Sequence, residues 1–157
     1  MQTRQERLLQ EAANRKRAGV IPYIVDEEGV IHMKFMKAKK APEGGWQIAK
    51  GGIKKGEDKR TAAFREAGEE IGLFEPNCTN VRSLGSFGGI TLFVAEIIDK
   101  NKFGDPQPEE TAGVAWLTMD EFKQSGRMSQ KHIVKQAHQL IQQMIKGSPK
   151  SMVSSKR

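Results

Sequence analysis

The stretch from Gly51 to Leu73, GGIKKGEDKRTAAFREAGEEIGL, constrains this chain more than any other. Gly51, Gly52 and Gly56 fall within its first six residues, which predicts a loop able to take positive φ and to bring its backbone close to a ligand. Thr61 to Arg65 then carry a helix, on which Glu66, Glu69 and Glu70 fall at i, i+3 and i+4 and share one face. Like charges four residues apart repel by about 0.2–0.5 kcal/mol, a poor arrangement for a plain solvated surface. A divalent cation reverses that sign, because hard ions such as Mg²⁺ or Mn²⁺ take carboxylate, water and phosphate oxygens. Gly68 sharpens the point, since a glycine inside a helix costs about 1 kcal/mol relative to alanine and propensity gives no reason for it. Gly72 reads as an ordinary C-cap.

The same residues resemble the Nudix box, GX5EX7REUXEEXGU with U aliphatic, the signature of Nudix hydrolases. Gly51, Glu57, Arg65, Glu66, Glu69, Glu70 and Gly72 fill the fixed positions, with Ala67 and Leu73 at U, Ala67 being small for its place. At average residue usage, seven fixed positions match by accident on the order of once in a hundred million windows. The resemblance implies that Glu69 and Glu70 bind metal and that Glu66 shares the metal cluster or helps activate water. Arg65 would pair with Glu57 and orient the carboxylate face, and the Lys50 backbone carbonyl would complete the inner shell. Lys50 and Lys54, with Gly51 and Gly52, would contact substrate phosphates. A further glutamate outside the box often serves as ligand or general base; here Glu110 fits, with Glu109 as the alternative and Glu96 as a mid-strand possibility.

The implied cofactor is Mg²⁺ or Mn²⁺, and the implied reaction is attack of water on a nucleoside diphosphate-X phosphoanhydride. The proline or tyrosine that marks the ADP-ribose and dinucleoside polyphosphate branches shortly after the box is missing from Gly89 to Thr91. Trp46-Gln47 before Gly51-Gly52-Ile53 is similar to the bacterial RNA 5′ pyrophosphohydrolases and related diadenosine polyphosphate hydrolases. The expected substrates are therefore dinucleoside polyphosphates or RNA 5′ ends. ADP-ribose, nucleotide sugars and FAD stay open, as does a catalytically silent module that binds nucleotide or RNA.

The remaining chain supports one domain, since 157 residues with 37% hydrophobic content suffice for a single core. No run of 18 apolar residues and no signal-like apolar segment occurs, so no membrane partner is expected. The lone Cys78 forms no internal disulfide and fits a reducing, cytoplasmic setting. The net charge of +7 comes from the ends: residues 1–19 carry five basic and two acidic side chains, and residues 146–157 carry four basic and none acidic. Such ends gather a polyanion such as RNA, or serve solubility alone.

Thr3 to Arg17 predicts a polar helix with a narrow stripe of Leu8, Leu9, Ala12 and Ala13. From Gly19 the period changes: VIPYIV, a turn at Asp26 to Gly29, and Val30 to Met36 predict a hairpin. Trp46 to Ala49, Val81 to Phe87, Ile90 to Ile98 and Gly113 to Leu117 predict further strands, and residues 99–109 an exposed loop. Thr118 with Glu121 predicts a capping box, and Ile133, Ala137, Leu140, Ile141 and Met144 predict a helix over Ser129 to Lys146. Strands on both sides of a central helix imply a mixed sheet between helical layers. The resemblance specifies an α/β/α sandwich with the box helix against the sheet. The expected divisions are an N-terminal helical extension at 1–18, the Nudix domain at 19–146 and a disordered basic tail at 147–157. Tyr23, Phe35, Phe87 and Phe103 could stack a base but read more simply as packing residues, and His32, His132 and His138 share no metal-ligand spacing.

Overall fold

Strand β1 (Arg17–Val25) is the element against which the others are laid. The computed structural model of the chain describes residues 2–7 and 16–147. On one edge β1 pairs in parallel with β5 (Ile90–Ile97), from Arg17 opposite Ile90 to Tyr23 opposite Glu96. On the other edge it splits its partners: Arg17 to Val20 pair with β3 (Ala49–Gly52), and Tyr23 to Val25 with β2 (Ile31–Ala38). Neither of these two antiparallel ladders includes Ile21 or Pro22, a place where a proline within an inner strand does least harm. β4 (Cys78–Phe87) and β6 (Thr111–Leu117) close the edges, giving the order β4-β5-β1-β2-β6.

Period-2 alternation along β1 feeds two cores. Ala18 and Val20 face the box helix α1 (Lys59–Ile71), where they meet Ala62, Ala63, Phe64, Ala67 and Ile71. Ile21 and Tyr23 face the opposite way, onto Phe122 of α2 (Met119–Ser125) and Ile133, Val134, Ala137 and Ile141 of α3 (Lys131–Gly147). The sheet is thus mixed and covered on both faces, as an α/β/α sandwich requires. The three alanines of α1 are fully buried and bring the helix backbone close to the sheet. Ala67, small for its place in the box, is one of them, and a larger side chain there would overpack the seam.

Local chemistry explains the corners. Asp26 turns the first hairpin by accepting from the amides of Glu28 and Val30 at 3.0 and 2.8 Å, while Gly29 takes φ +84. Thr118 and Glu121 form the expected reciprocal cap on α2.

Several boundaries differ from the sequence expectation. Residues 4–7 are helical, but Arg17 already belongs to β1, because its edge pairs with both Gly52 and Ile90. The stripe from Leu8 to Ala13 and the tail from residue 148 lie outside the described residues, and α3 runs through Gly147. No helix among the described residues is long and apolar enough to cross a membrane.

Candidate active site

The glycine segment is mostly strand rather than loop. Gly51 and Gly52 are extended in β3, and only Gly56 turns the chain with φ +78. Gly51 is needed for space: a Cβ there would collide with the carboxylate of Glu66. Gly52 contributes its carbonyl, which accepts from Arg65 Nη2 at 2.9 Å. Beyond the Gly56 turn, Asp58 caps α1 by accepting from the Thr61 amide at 2.7 Å. Gly72 ends the helix in the left-handed region, φ +71, and its N–H returns to the carbonyls of Ala67 and Gly68.

Arg65 is the hub of the site. Its Nε and Nη2 donate to Glu57 Oε2 and Oε1 at 2.8 and 3.0 Å, a two-point fork between helix and loop. Its Nη1 donates to Glu66 Oε1 at 2.7 Å and stands 3.6 Å from Glu69 Oε2. The guanidinium beside Glu57, helped by the Lys54 amide, holds that carboxyl down to about 2, and Glu57 in turn raises the pKa of Arg65. Arg65 therefore stays charged and fixed in orientation at any working pH.

Glu66 and Glu70 are treated in the opposite way. Burial pushes Glu70 up to about 7, although the Lys50 amide donates to its Oε1 at 2.9 Å; Glu66 and Glu110 add to the rise. Burial also raises Glu66, against the pull of Arg65, with Glu69 and Glu110 contributing. The negative charge of Glu110 thus reaches both Glu66 and Glu70. Glu96 lies elsewhere, holding Asn80 Nδ2 at 2.8 Å.

Glu66 and Glu70, which repel one another, resist ionisation and offer only hard oxygens, fit a divalent cation. Glu66, seated in the hollow left by Gly51, together with Glu69 and Glu70, would hold it. Among the described residues no three acidic, imidazole or thiol groups yet converge as a cation cage, and Arg65 Nη1 instead lies between Glu66 and Glu69.

Loop 99–110 is less free than its composition suggests. Gly104 N donates to Gly72 O at 2.7 Å, Gln107 N to Glu69 O at 2.8 Å, and Thr111 Oγ1 to Glu70 O at 2.8 Å. These bonds satisfy carbonyls that the last turn of α1 would otherwise leave bare. They also tie the approach to Glu110 to the backbone of Glu70, one of the two residues whose carboxylates its charge reaches.

Cations gather on the other side of β3. Antiparallel register sets Lys50 opposite Gly19 and Arg17 opposite Gly52, so both side chains leave the sheet on the face away from α1. A Cβ on Gly19 would lie 2.7 Å from that of Lys50. Burial, then Arg17 and more weakly Arg127, lower the pKa of Lys50. Arg127 had no motif to reveal it. Its amide donates to Trp46 O at 2.8 Å, Trp46 N donates to Ser125 O at 3.1 Å, and its guanidinium lies along Gly44. Lys54 and Lys55 are exposed beside the Gly56 turn. Of the aromatics, Tyr23 and Phe35 are buried in the core, while Trp46 carries the Lys37 ammonium 4.7 Å from its ring centre. His32 pairs with Asp26 at 2.9 Å, away from the carboxylates.

Comparisons with known proteins agree with this architecture. No curated protein sequence matches the chain. Among solved structures, a C. elegans Ap4A hydrolase binary complex matches with a TM-score of 0.65 at 18% identity, over 81% of this chain and 97% of that one. RenU, a Nudix hydrolase from M. smegmatis, matches with a TM-score of 0.64 at 19% identity, over 82% and 88%. The NUDIX domain of Shewanella oneidensis NrtR, complexed with ADP ribose, matches with a TM-score of 0.65 at 14% identity, over 88% and 99%. At these identities the likeness speaks for the fold. The NUDIX domain family model covers residues 13–137, and with the complete box this shows that the chain belongs to the NUDIX family and is a hydrolase acting on phosphoanhydride bonds.

Proposed function

We propose that the protein is a Mg²⁺- or Mn²⁺-dependent pyrophosphohydrolase whose substrates are dinucleoside polyphosphates, with RNA 5′ ends as the second reading. The carrying observation is a pair of opposed charge clusters across one short strand. Glu66 and Glu70 meet β3 on the α1 face, and Lys50 with Arg17 leaves it on the other. A polyphosphate running past the Gly51–Gly52 edge meets cations along its length and carboxylates at one phosphorus.

Nudix hydrolases generally use divalent ions, and an ion held by Glu66, Glu69 and Glu70 would neutralise phosphate charge and polarise the phosphorus. The protein's own groups do the rest. Arg65, locked to Glu57, keeps Glu66 and Glu69 in register. Lys50 and Arg17, with Arg127, hold the phosphates that do not react, and backbone close to Gly51 allows near approach. Glu110 takes a proton on a carboxylate oxygen from the water that attacks in line. The products are a nucleoside monophosphate and the phosphorylated remainder.

The C. elegans Ap4A hydrolase supports the favoured substrate, and the NrtR complex with ADP ribose keeps ADP-ribose, nucleotide sugars and FAD as the competing class. A silent nucleotide- or RNA-binding module is opposed by the complete set of box carboxylates. Product chromatography on a panel of diadenosine tetraphosphate, 5′-triphosphorylated RNA, ADP-ribose and FAD tests the proposal. A preference for ADP-ribose or FAD of tenfold or more in kcat/KM overturns it.

A further inference from the structure

Lys34 stands out among the charged side chains by its burial. It lies mid-strand in β2, opposite Trp116 of β6, and is 7% exposed, yet none of the ion pairs among the described residues includes it. Its ammonium sits 3.5 Å from the centre of the Phe103 ring and 5.3 Å from that of Trp116. The two rings meet edge to face at 5.8 Å. A desolvated ammonium without a carboxylate is costly, and the negative face of an aromatic ring is one of the few surroundings that compensates it. A methionine would fill the same space without that cost, so the charge itself needs a reason.

The reason lies in what Phe103 belongs to. Its loop is held upstream by Asn77, whose Nδ2 donates to the carbonyls of Asp99 and Lys102 at 2.9 Å each. Downstream it is held by the bonds of Gly104 to Gly72, Gln107 to Glu69 and Thr111 to Glu70. Between these anchors Phe103 is the loop's aromatic contact with the sheet. Phe74 closes the other side, since a Cβ on Gly104 would stand 3.0 Å from its ring. Four residues after Phe103 the chain reaches Gln107, whose carbonyl accepts from the Glu110 amide at 3.0 Å and so starts the turn that carries Glu110. Lys34 thus touches the segment that carries Glu110 through Phe103, and the loop is the route by which it reaches the carboxylates.

We infer that Lys34 is a positioning residue: its ammonium, seated on the Phe103 ring, pins loop 99–110 to the sheet, steadies the loop's bonds to the C-terminal turn of α1 and thereby sets Glu110 against Glu66 and Glu70. This rests on reading Glu110 as the general base, and the experiment separates the two ideas. Backbone amide exchange at Gly104 and Gln107, followed by NMR, reports the lock without reference to activity. Lys34→Met should speed exchange at both amides about tenfold or more and lower kcat about tenfold with KM changed less than twofold. Lys34→Arg should restore both, and Phe103→Leu should reproduce the defect should Lys34→Met fold poorly. In a Glu110→Gln background, Lys34→Met should change kcat less than twofold.

Unchanged exchange at Gly104 and Gln107 overturns the lock. A full tenfold loss of kcat in the Glu110→Gln background overturns the route through Glu110. If Glu110→Gln alone keeps the parent kcat, the general-base reading falls and takes the catalytic half of the inference with it, while exchange still decides the lock.

Discussion

Glu70→Gln in chelator provides a sharp test of the electrostatics, because it removes one charge and keeps the shape. The wild-type carboxyl titrates near 7 in the folded chain against 4.5 for the ordinary group, owing first to burial. The folded state therefore holds its proton more tightly than the unfolded state, and stability contributed by the protonated form is lost as pH rises from about 4.5 to 7. At about 1.4 kcal/mol per pH unit, and discounted for partial exposure, the loss between pH 5 and pH 8 is on the order of 2 kcal/mol. Glutamine can still accept from the Lys50 amide at Oε1 but does not ionise. Urea unfolding of both proteins at the two pH values should show Glu70→Gln gaining about 2 kcal/mol on the wild type between pH 5 and pH 8. Millimolar Mg²⁺ at pH 8 should shrink that gain by stabilising the wild type more. A difference that is flat with pH, or of opposite sign, refutes the argument that the carboxylates are held ready for a cation.

Three further outcomes follow from the same geometry. Arg65→Ala and Glu57→Ala should each lower kcat by a similar factor, with the double variant little worse than either, since one fork joins them; multiplied losses would show independent roles. Gly51→Ala should reduce kcat a hundredfold or more because its Cβ intrudes on Glu66, whereas Gly68→Ala, whose Cβ meets only Leu73 O at 3.4 Å, should keep activity and gain about 0.5–1 kcal/mol in unfolding free energy. Equal damage at both would point to general intolerance of the box helix. Arg127→Ala should raise KM on diadenosine tetraphosphate severalfold, spare kcat and flatten the salt dependence of kcat/KM; an unchanged KM would remove Arg127 from the phosphate path.

The box was legible because its chemistry is local: turn, cap, arginine and carboxylates lie within one helix and the segment before it. The capping box of Thr118 and Glu121 and the stripe of α3 were readable for the same reason. Harder to read were contacts between backbones distant in sequence. Residues 99–109, polar and with two prolines, read as an exposed loop, yet the amides of Gly104 and Gln107 bond the end of α1 through groups that every residue carries. Gly51 and Gly52 suggest a flexible loop, but pairing with Arg17 and Ala18 extends them, and the need for glycine at 51 comes from Glu66, fifteen residues on. Nothing in the sequence marks Lys34 within its strand; its burial comes from Trp116 and Phe103, which lie more than sixty residues away and close over it. Arg127 follows a short helix without any motif, and its place beside Trp46 depends on a bridge between Trp46 and Gly126. The parallel pairing of β1 with β5 likewise leaves no trace in either strand alone.

In the proposed reaction the box carboxylates, with a divalent ion, hydrolyse a dinucleoside polyphosphate. That reaction is tested most directly by following diadenosine tetraphosphate chromatographically with wild type and Glu69→Gln, each in millimolar Mg²⁺ and in excess chelator. The wild type should release a nucleoside monophosphate only with Mg²⁺, and Glu69→Gln should show a kcat lower by about 10³, a loss of roughly 4 kcal/mol of transition-state stabilisation. Full turnover in chelator, or a Glu69→Gln variant as fast as the wild type, would contradict it.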